Sequence, residues 1–313
     1  YFKVNTVHGS RDYFHVYYKN FVFEIVPILD IKIPEQALNV TDISPLHINF
    51  VKKYPKLKDE IRLLKSFCKA NNLYGAESYI SGFSGYVLEI LVIHYKSFKN
   101  VLKNAAKWKP KDIIEIKKAV KDPLRELNPS KIVSPLILID PVDKSRNVSS
   151  SLSMENFEKF VKLSQNYLRN HSEKFFTERN EIPKESFVLK IIPSKGKKDV
   201  IGAKAVKVMN YIKNKLDENE FLVSNKGWFW NKEIIFWFKV KNKKLPLEEV
   251  HKGPPADMEK NVREFKKKHK SIFLKKGIYY ANLKREYIKV EDLINKLLKE
   301  GYVKERVKEI KWK

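Results

Sequence analysis

Aromatic and β-branched residues dominate the opening stretch of the chain, in a pattern typical of β-strands. Residues 13–27 carry such side chains almost continuously, with an interruption at Lys19-Asn20. Strands favour these residue types, and a short polar pair between two strand-like runs favours a turn. The pattern therefore predicts a β-hairpin over residues 13–26.

The spacing of apolar residues becomes helical from Asp59 onward. The residues at this spacing are Ile61, Leu64, Phe67 and Cys68, and then Leu88, Leu91 and Val92 after the turn Gly82-Phe83-Ser84-Gly85. Apolar residues three and four positions apart lie on one face of a helix. We therefore expect residues 58 to about 125 to be mainly helical.

A short buried strand is predicted at residues 136–139, where four aliphatic residues follow one another. An amphipathic helix is predicted after it, marked by Phe157, Phe160, Val161, Tyr167 and Leu168.

A second domain is predicted to begin near Pro183. Its predicted elements are a strand at 187–192, a helix through 206–216, strands at 221–224 and 234–240, and a turn at Asn225-Lys226-Gly227. This βαββ order suits a helix packed on an antiparallel sheet, so the predicted fold class is α+β.

The final stretch is strongly basic. A helix is predicted around Met258, Val262 and Phe265, and the run Lys266-Lys267-Lys268-His269-Lys270 follows it. Such a run forms either a solvated helix face or a surface that contacts phosphates, and the sequence leaves both open.

The net charge of the chain indicates the class of partner that it binds. The 313 residues include 63 basic and 37 acidic side chains, for a formal net charge of +26. This excess of basic residues indicates a polyanionic partner, and nucleic acid is the first candidate. An anionic membrane is the competing partner, but no apolar run approaches the roughly 20 residues of a membrane span. The lone cysteine, Cys68, fits a reducing compartment, so we expect a cytoplasmic protein without membrane contact.

One acidic residue stands out in the opening hairpin. Glu24 lies within the otherwise apolar run Phe23-Glu24-Ile25-Val26-Pro27. A carboxylate inside a core requires a partner or a metal ion, whereas a strand with one wet face holds it at no cost. Glu24 is thus either a metal ligand or a surface acid.

Four further clusters contain residues suited to nucleotide binding. They are the predicted loop Ser44-Pro45-Leu46-His47, the helical Arg62-Leu63-Leu64-Lys65, the segment Tyr74-Gly75-Ala76-Glu77, and the loop Asp140-Pro141-Val142-Asp143 through Arg146-Asn147-Val148. Lysine suits a triphosphate as a mobile charge, tyrosine presents a ring and a hydroxyl, and arginine donates in a fixed fork. Gly82-Phe83-Ser84-Gly85-Tyr86 is a tight turn that opens a helix, and it is either an anion site formed by free N–H groups or only a helix start, which we favour. Each cluster alone also fits an ordinary surface.

Taken in order, these motifs resemble the archaeal, class I CCA-adding enzymes, tRNA nucleotidyltransferases of the polymerase-β superfamily. Gly253-Pro254-Pro255 and Asn261-Val262 extend the resemblance over nearly the whole chain. The resemblance implies the remaining part of a polymerase-β-like nucleotidyltransferase palm (head) at 1–56, a helical neck at 57–180, and an RRM/ferredoxin-like body with a basic tail at 181–313.

The resemblance also implies an activity, namely addition of C, C and A to the tRNA 3′ end from CTP and ATP without a template. Glu24 falls at the third metal-binding carboxylate for Mg²⁺, and His47, Lys65 and Tyr74 fall at nucleotide-contacting positions. Arg146 falls at the arginine that helps to read the incoming base. Two metal ions held by carboxylates would support in-line attack of the terminal ribose hydroxyl.

The sequence departs from the family pattern in two ways. The family's Gly-Ser motif and its acid-x-acid pair precede residue 1, and Gly9-Ser10 is interpreted as a loop because no such pair follows it. Glu24 stands where the family usually has aspartate. We therefore expect a separate amino-terminal head polypeptide to supply two carboxylates, and the isolated chain to be inactive. A homodimer is left open, as are two other functions, a non-catalytic tRNA-binding protein and a poly(A)-type tailing polymerase.

Overall fold

The computed structural model describes residues 2–9, 11–116, 125, 127–178, 180–231 and 233–313. The chain divides into two compact units, residues 1–179 and residues 180–313. Both contain helices and strands, so the predicted α+β class is confirmed at that level. None of the described helices is long and apolar enough to cross a bilayer.

Unit 1 begins with strands and continues mainly with helices. Its elements are β1 (Lys3–Val7), β2 (Tyr13–Tyr18), β3 (Phe21–Ile25), α1 (Ser44–Val51), α2 (Lys58–Ala70), α3 (Gly85–Tyr95), α4 (Phe98–Ala105), β4 (Asp112–Ile114), β5 (Leu136–Leu138) and α5 (Met154–Arg169). Its main core is formed by residues of α2, α3, α4 and α5, with Phe67 and Phe160 fully buried and in edge-to-face contact.

The predicted hairpin is confirmed. Strands β1, β2 and β3 form an antiparallel sheet in that order, and β2 and β3 are joined by Lys19-Asn20. Lys19 has a φ of 52°, the left-handed conformation that tight hairpin turns require. Gly9 lies in the connection between β1 and β2, and Ser10 lies outside the described residues.

The helical prediction for residues 58 to about 125 is only partly correct. Helices α2, α3 and α4 confirm it, but residues 112–114 form β4, which pairs in parallel with β5. The stretch contains two consecutive isoleucines, which suit a strand, and its partner comes from a segment more than twenty residues later. Residues 117–124 lie outside the described part of the chain.

A buried ion pair ties the first sheet to the segment that leads into α1. Arg11, between β1 and β2, donates from Nη1 and Nη2 to the two carboxylate oxygens of Asp42, at 2.6 and 3.0 Å. The same carboxylate accepts backbone N–H bonds from Leu29 and Asn39. Burial favours the neutral acid, but these donors outweigh it and lower the pKa of Asp42 to about 2.

Unit 2 is built on an antiparallel sheet. Its elements are β6 (Phe187–Ile192), α6 (Lys198–Glu218), β7 (Val223–Trp230), β8 (Ile234–Val240), β9 (Glu248–Pro255), α7 (Glu259–Lys268), β10 (Ile272–Lys275), β11 (Ile278–Lys284), α8 (Val290–Leu297), α9 (Gly301–Lys304) and β12 (Glu309–Trp312). The main sheet has the order β12-β6-β8-β7, and α6 and α8 share one core with its inner face. Strands β9, β10 and β11 form a second antiparallel sheet in the order β10-β11-β9.

The predicted turn at Asn225-Lys226-Gly227 is wrong, because these residues lie inside β7. Gly227 pairs with Trp237 of β8, and a Cβ at Gly227 would lie only 2.3 Å from Cζ2 of the Trp237 ring. The glycine is therefore required by the close approach of an aromatic ring from the next strand and not by a turn.

The Arg11–Asp42 pair leads to a prediction about acid stability. Because the pKa of Asp42 in the folded protein is about 2, below that of an unfolded aspartate near 3.9, its stabilisation is complete above about pH 4 and is lost as the pH falls toward 2. We expect Asp42→Asn to lower the urea midpoint at pH 7, with a difference from wild type that shrinks between about pH 4 and 2. Asp30→Asn, at an exposed acid, is the control and should change little. An equal Asp42→Asn difference at pH 7 and pH 2.5 would contradict the assignment.

Candidate active site

The start of helix α3 lies against two of the predicted nucleotide-binding residues. Ser84 caps the helix by accepting an N–H bond from Val87, as the predicted helix start requires. A Cβ at Gly85 would lie 2.9 Å from the Tyr74 hydroxyl oxygen and 3.6 Å from Lys65 Nζ. The missing side chain at Gly85 thus leaves room for both groups beside the helix terminus.

Backbone pairing fixes the loop that precedes α3. Residues Leu73 and Gly75 exchange backbone hydrogen bonds with Phe83 and Gly82. A Cβ at Gly82 would lie 2.2 Å from the carbonyl oxygen of Leu73, so a larger residue cannot take this position without moving the backbone. Tyr74 lies in the middle of this pairing, and its ring faces Lys69 Nζ at 4.9 Å.

Lys65 has a specific partner on α3. Its Nζ donates to Glu89 Oε1 at 2.6 Å, and both side chains are about three-quarters buried. Glu89 is the charged residue that interrupts the apolar helix α3, and this ion pair explains its presence there. The pair holds the Lys65 ammonium group near Gly85 and the first turn of α3.

A second group of side chains surrounds a fully buried carboxylate, Asp140. One oxygen lies 2.8 Å from His47 Nε2, and the other accepts from the Tyr86 hydroxyl at 3.0 Å and from the Val142 N–H at 2.9 Å. Burial alone would raise the pKa of Asp140, but the bond and charge of His47, with the other donors, lower it.

His47 does not lie on a loop, as the sequence predicted, but on helix α1. Pro45 occupies the first turn of α1, where its missing N–H has no cost, so Ser-Pro marks the beginning of a helix here. The His47 ring stacks on the Tyr86 ring, with centroids 4.0 Å apart. Burial first, and then the charge of Asp140, raises the pKa of Tyr86, so that its hydroxyl remains a donor.

Arg146 adjoins the same group through the backbone and through its charge. Its carbonyl accepts the Asp140 N–H at 3.0 Å, and its own N–H donates to the Asp143 carbonyl. The charge of Arg146 acts on Tyr86, where it opposes the rise in pKa caused by burial. Nη1 of Arg146 is buried, and no residue in the described ranges accepts a hydrogen bond from it. A buried guanidinium donor without an acceptor is suited to a ligand.

Four of the five predicted site residues, His47, Lys65, Tyr74 and Arg146, therefore gather around the first turn of α3. The sequence did not identify Asp140 and Tyr86, which connect His47 to the loop that carries Arg146. The sequence contained an indication that each residue belongs to a site, since Asp140 follows a buried strand and Tyr86 follows the Gly-Phe-Ser-Gly turn. Their pairing with His47 could not be read from the sequence, because 93 residues separate His47 from Asp140.

Glu24, the fifth predicted residue, lies on the first sheet. It is opposite His15 on β2, and its Oε2 lies 3.3 Å from His15 Nε2. Its side chain is 60% exposed, so it does not enter a core. Among the described residues, no three acidic, histidine or cysteine side chains are grouped closely enough to hold a metal ion. Its role as a metal ligand remains a prediction.

Comparison with known proteins identifies two family domains along the chain. Residues 59–177 match the family described as tRNA nucleotidyltransferase, second domain, and residues 193–310 match the family described as CCA-adding enzyme, C-terminal domain. The CCA-adding enzyme of Nanoarchaeum equitans is 39% identical over 90% of this chain and 72% of its own length. That of Methanocaldococcus jannaschii is 32% identical over 94% of this chain and 69% of its own length. That of Methanosarcina barkeri is 30% identical over 90% of this chain and 65% of its own length.

Removal of the Asp140 carboxylate should destabilise unit 1. In Asp140→Ala the Tyr86 hydroxyl, His47 Nε2 and the Val142 N–H lose their acceptor, at a cost of about 1–3 kcal/mol for each donor left buried without a partner. We expect a clear fall in the urea midpoint, partly recovered in Asp140→Asn, which retains an acceptor oxygen. Asp143→Ala, in the same loop but bonded to the exposed Ser145, is the matched control. Equal effects of Asp140→Ala and Asp143→Ala would show that the buried network does not stabilise the protein.

Proposed function

The chain belongs to the family of CCA-adding enzymes, and we propose from this premise that it takes part in adding C, C and A to the 3′ end of tRNA from CTP and ATP without a nucleic-acid template. The observation that carries the proposal is the gathering of His47, Lys65, Tyr74 and Arg146 around the first turn of α3. In this proposal these four residues bind the incoming nucleotide.

Lys65 and the first turn of α3 bind the triphosphate. The N–H groups of a helix's first turn have no partners within the helix, and the helix dipole favours an anion there. Lys65 places an ammonium group beside this terminus, where its N–H groups can donate to phosphate oxygens, and the ion pair with Glu89 holds it in place. Tyr74 contributes a hydroxyl close to the same point.

His47 and Arg146 contact the base or the sugar. Asp140 engages Nε2 of His47, which leaves Nδ1 as the ring nitrogen that can meet a nucleotide. The buried Nη1 of Arg146 is a donor for the edge of the incoming base. Asp140 touches no nucleotide in this proposal and acts by positioning His47 and Tyr86.

Glu24 is the residue of the chain that would hold Mg²⁺. A carboxylate oxygen suits this ion, which is commonly bound through one or two carboxylates together with substrate phosphates, and the exposed side chain of Glu24 is accessible for it. A bound Mg²⁺ would neutralise charge on the triphosphate and make the terminal ribose hydroxyl of tRNA a better nucleophile.

The sheet that carries Glu24 has two unlike faces. His15 and Glu24 share a mixed face with Lys3, Asn5, Tyr17 and Val22, whereas the opposite face carries Val4, Phe14, Tyr18, Phe21, Phe23 and Ile25, each between 39 and 65% exposed. An antiparallel sheet normally buries its apolar face, and β3 has a free edge among the described strands. A further head segment that pairs with the edge of β3 would bring its own carboxylates next to Glu24, and the same segment would cover the apolar face on the other side of the sheet.

We propose that the chain divides into head (1–56), neck (57–180), and body with tail (181–313), and the limit between the two compact units at residues 179 and 180 supports the boundary between neck and body. The connectivity β6-α6-β7-β8-α8-β12 with sheet order β12-β6-β8-β7 supports a ferredoxin-like body, into which β9–β11 and α7 are inserted. Two alternative functions would use the same fold, a tRNA-binding protein without catalysis and a poly(A)-type tailing polymerase.

An incorporation assay tests the proposal. It uses labelled CTP and ATP and a tRNA that ends at its discriminator base. We expect C, C and A to be added when the chain is combined with a head segment, and no addition by the chain alone. The head segment used here is the part of the Nanoarchaeum equitans relative that the chain does not match. In the combined enzyme, Lys65→Ala should raise KM for both nucleotides roughly tenfold and leave tRNA affinity within about twofold, because one phosphate contact among many contributes little to RNA binding. Lys58→Ala, an exposed lysine of the same helix, is the control.

The products of this assay distinguish CCA addition from the two alternative functions. A homopolymeric A tail would favour the tailing polymerase, and tRNA binding without incorporation in any combination would favour the non-catalytic protein. Equal losses of nucleotide use and tRNA affinity in Lys65→Ala would indicate a structural role for this lysine.

Glu24→Gln tests the proposed metal ligand in the combined enzyme. The substitution keeps the shape of the side chain but removes its charge, so we expect kcat to fall by orders of magnitude while tRNA affinity barely changes. Glu24→Asp keeps the carboxylate and should retain substantial activity, with a shifted Mg²⁺ requirement. Asp30→Asn is the control, and near-normal incorporation by Glu24→Gln would exclude Glu24 as a ligand.

A further inference from the structure

Asn147, the residue after Arg146, is a buried amide whose two ends are both hydrogen-bonded. Its Nδ2 donates to the carbonyl oxygens of Lys131 and Leu136, at 2.8 and 3.3 Å. Its Oδ1 accepts the backbone N–H groups of Leu138 and Ser149, each at 3.0 Å. Rotation of the amide by half a turn would set N–H against N–H, so the side chain has a single stable orientation.

The main chain around Arg146 is tied to the end of β5 and to the loop that follows it. The Val148 N–H donates to the Leu138 carbonyl at 2.9 Å, and the Asp140 N–H donates to the Arg146 carbonyl at 3.0 Å. The N–H of Arg146 itself donates to the Asp143 carbonyl at 3.0 Å. The position of the Arg146 Cα is therefore set by backbone bonds on both of its sides.

Lys131 is bonded to both neighbours of Arg146. It ends the short 3₁₀ turn Pro129–Lys131, and its Nζ donates to the Ser145 carbonyl at 2.9 Å. Its own carbonyl accepts from Nδ2 of Asn147 at 2.8 Å. We call this pair of bonds, from Lys131 to Ser145 and from Asn147 to Lys131, the Lys131 clasp. The clasp holds the loop on each side of the arginine against a separate segment of the chain.

Arg146 requires such support because its buried Nη1 has no acceptor within the described ranges that would hold the guanidinium in place. Arginine is long and flexible, so its direction depends on a fixed backbone when no partner fixes its end. Binding groups must be held within roughly 0.5 Å and 10–20° of their working geometry. A small movement of the loop would therefore misdirect the Nη1 donor.

The direction of a single donor can decide which base is accepted. The ring nitrogen on the Watson–Crick edge accepts a hydrogen bond in cytosine and adenine, whereas in uracil and guanine the corresponding nitrogen carries a hydrogen. An arginine N–H group aimed at this position favours cytosine and adenine, because it would face another N–H group in the other two bases.

We propose that Asn147 and Lys131 are positioning residues for Arg146, and that the Lys131 clasp lets the site distinguish CTP and ATP from UTP and GTP. The inference rests on the proposed function, in which Nη1 of Arg146 meets the incoming base. Neither Asn147 nor Lys131 touches the nucleotide. Both act through the backbone that carries the arginine.

The test compares kcat/KM for CTP with kcat/KM for UTP in the combined enzyme. The two nucleotides share the same sugar and triphosphate, so a lost phosphate contact cancels in this ratio. Lys131→Met removes the bond to Ser145 and should lower the ratio several-fold. Asn147→Ala should lower it on the order of tenfold, as expected when one hydrogen bond from a charged donor is lost.

Two further variants separate the bond from the charge. Lys131→Arg keeps a donor for the Ser145 carbonyl and should preserve the ratio. The matched control is Lys144→Met, which removes the same charge from an exposed position of the same loop and should also leave the ratio unchanged.

Hydrogen exchange in the chain alone gives a second readout that needs no nucleotide. The Asp140 N–H, which donates to the Arg146 carbonyl, should exchange faster in Lys131→Met than in the wild type, because the loop opens more often. Exchange in α2 should be the same in both proteins. If Asn147→Ala fails to fold, the two Lys131 variants decide the question.

Two results would overturn the inference alone. One is a Lys131→Met enzyme that prefers CTP to UTP as strongly as Lys144→Met does. The other is a lower ratio without faster exchange at Asp140, since Lys131 would then act without moving the loop. A wild-type combined enzyme that fails to incorporate CTP, or shows no preference for it over UTP, would instead contradict the proposed function, and the inference with it.

Discussion

The burial of the Asp140 carboxylate is the constraint on which the candidate site depends. A carboxylate without solvent contact is stable only when donors surround it, and here they come from α1, α3 and its own loop. His47, Tyr86 and the loop that carries Arg146 are therefore fixed relative to one another by one charge. A nucleotide would meet groups that are already oriented, which lowers the ordering cost of binding.

The local elements could be predicted from the sequence where residue type and spacing agree, as in the β2–β3 hairpin and in helices α2, α3 and α5. Prediction failed where a distant partner decided the outcome. Residues 112–114 form a strand because β5 pairs with them, and Gly227 lies in a strand that pairs with β8, where the Trp237 ring occupies the space that a side chain at residue 227 would need. β5 is separated from β4 by more than twenty residues, and Trp237 belongs to the strand after that of Gly227, so the residues around each position do not reveal its partner.

The residues of the candidate site could likewise be predicted from the sequence only in part. Residue type alone indicated that Lys65, Tyr74 and Arg146 suit a nucleotide, but the pairs Lys65–Glu89 and His47–Asp140 arise from packing between separate helices and loops. The Ser-Pro segment before His47 was assigned to a loop although proline is common in the first turn of a helix. For Glu24, the alternation of strand residues leaves both faces open. Only the register with β2 shows that it lies beside His15, on the face opposite Phe23 and Ile25.

The two units of the chain expose their lysines to different degrees. Binding to each unit should therefore respond differently to ionic strength. Around α3, Lys65 is mostly buried and paired with Glu89, so salt screens its interactions weakly. In unit 2 the four lysines of the run at 266–270 are exposed, and the attraction of exposed lysines for a phosphate is weakened by counterions. Under the proposed function, rising salt should therefore weaken binding of tRNA to these lysines before it weakens binding of a nucleotide at α3. In the combined enzyme, KM for tRNA should accordingly depend on salt more steeply than KM for CTP or ATP.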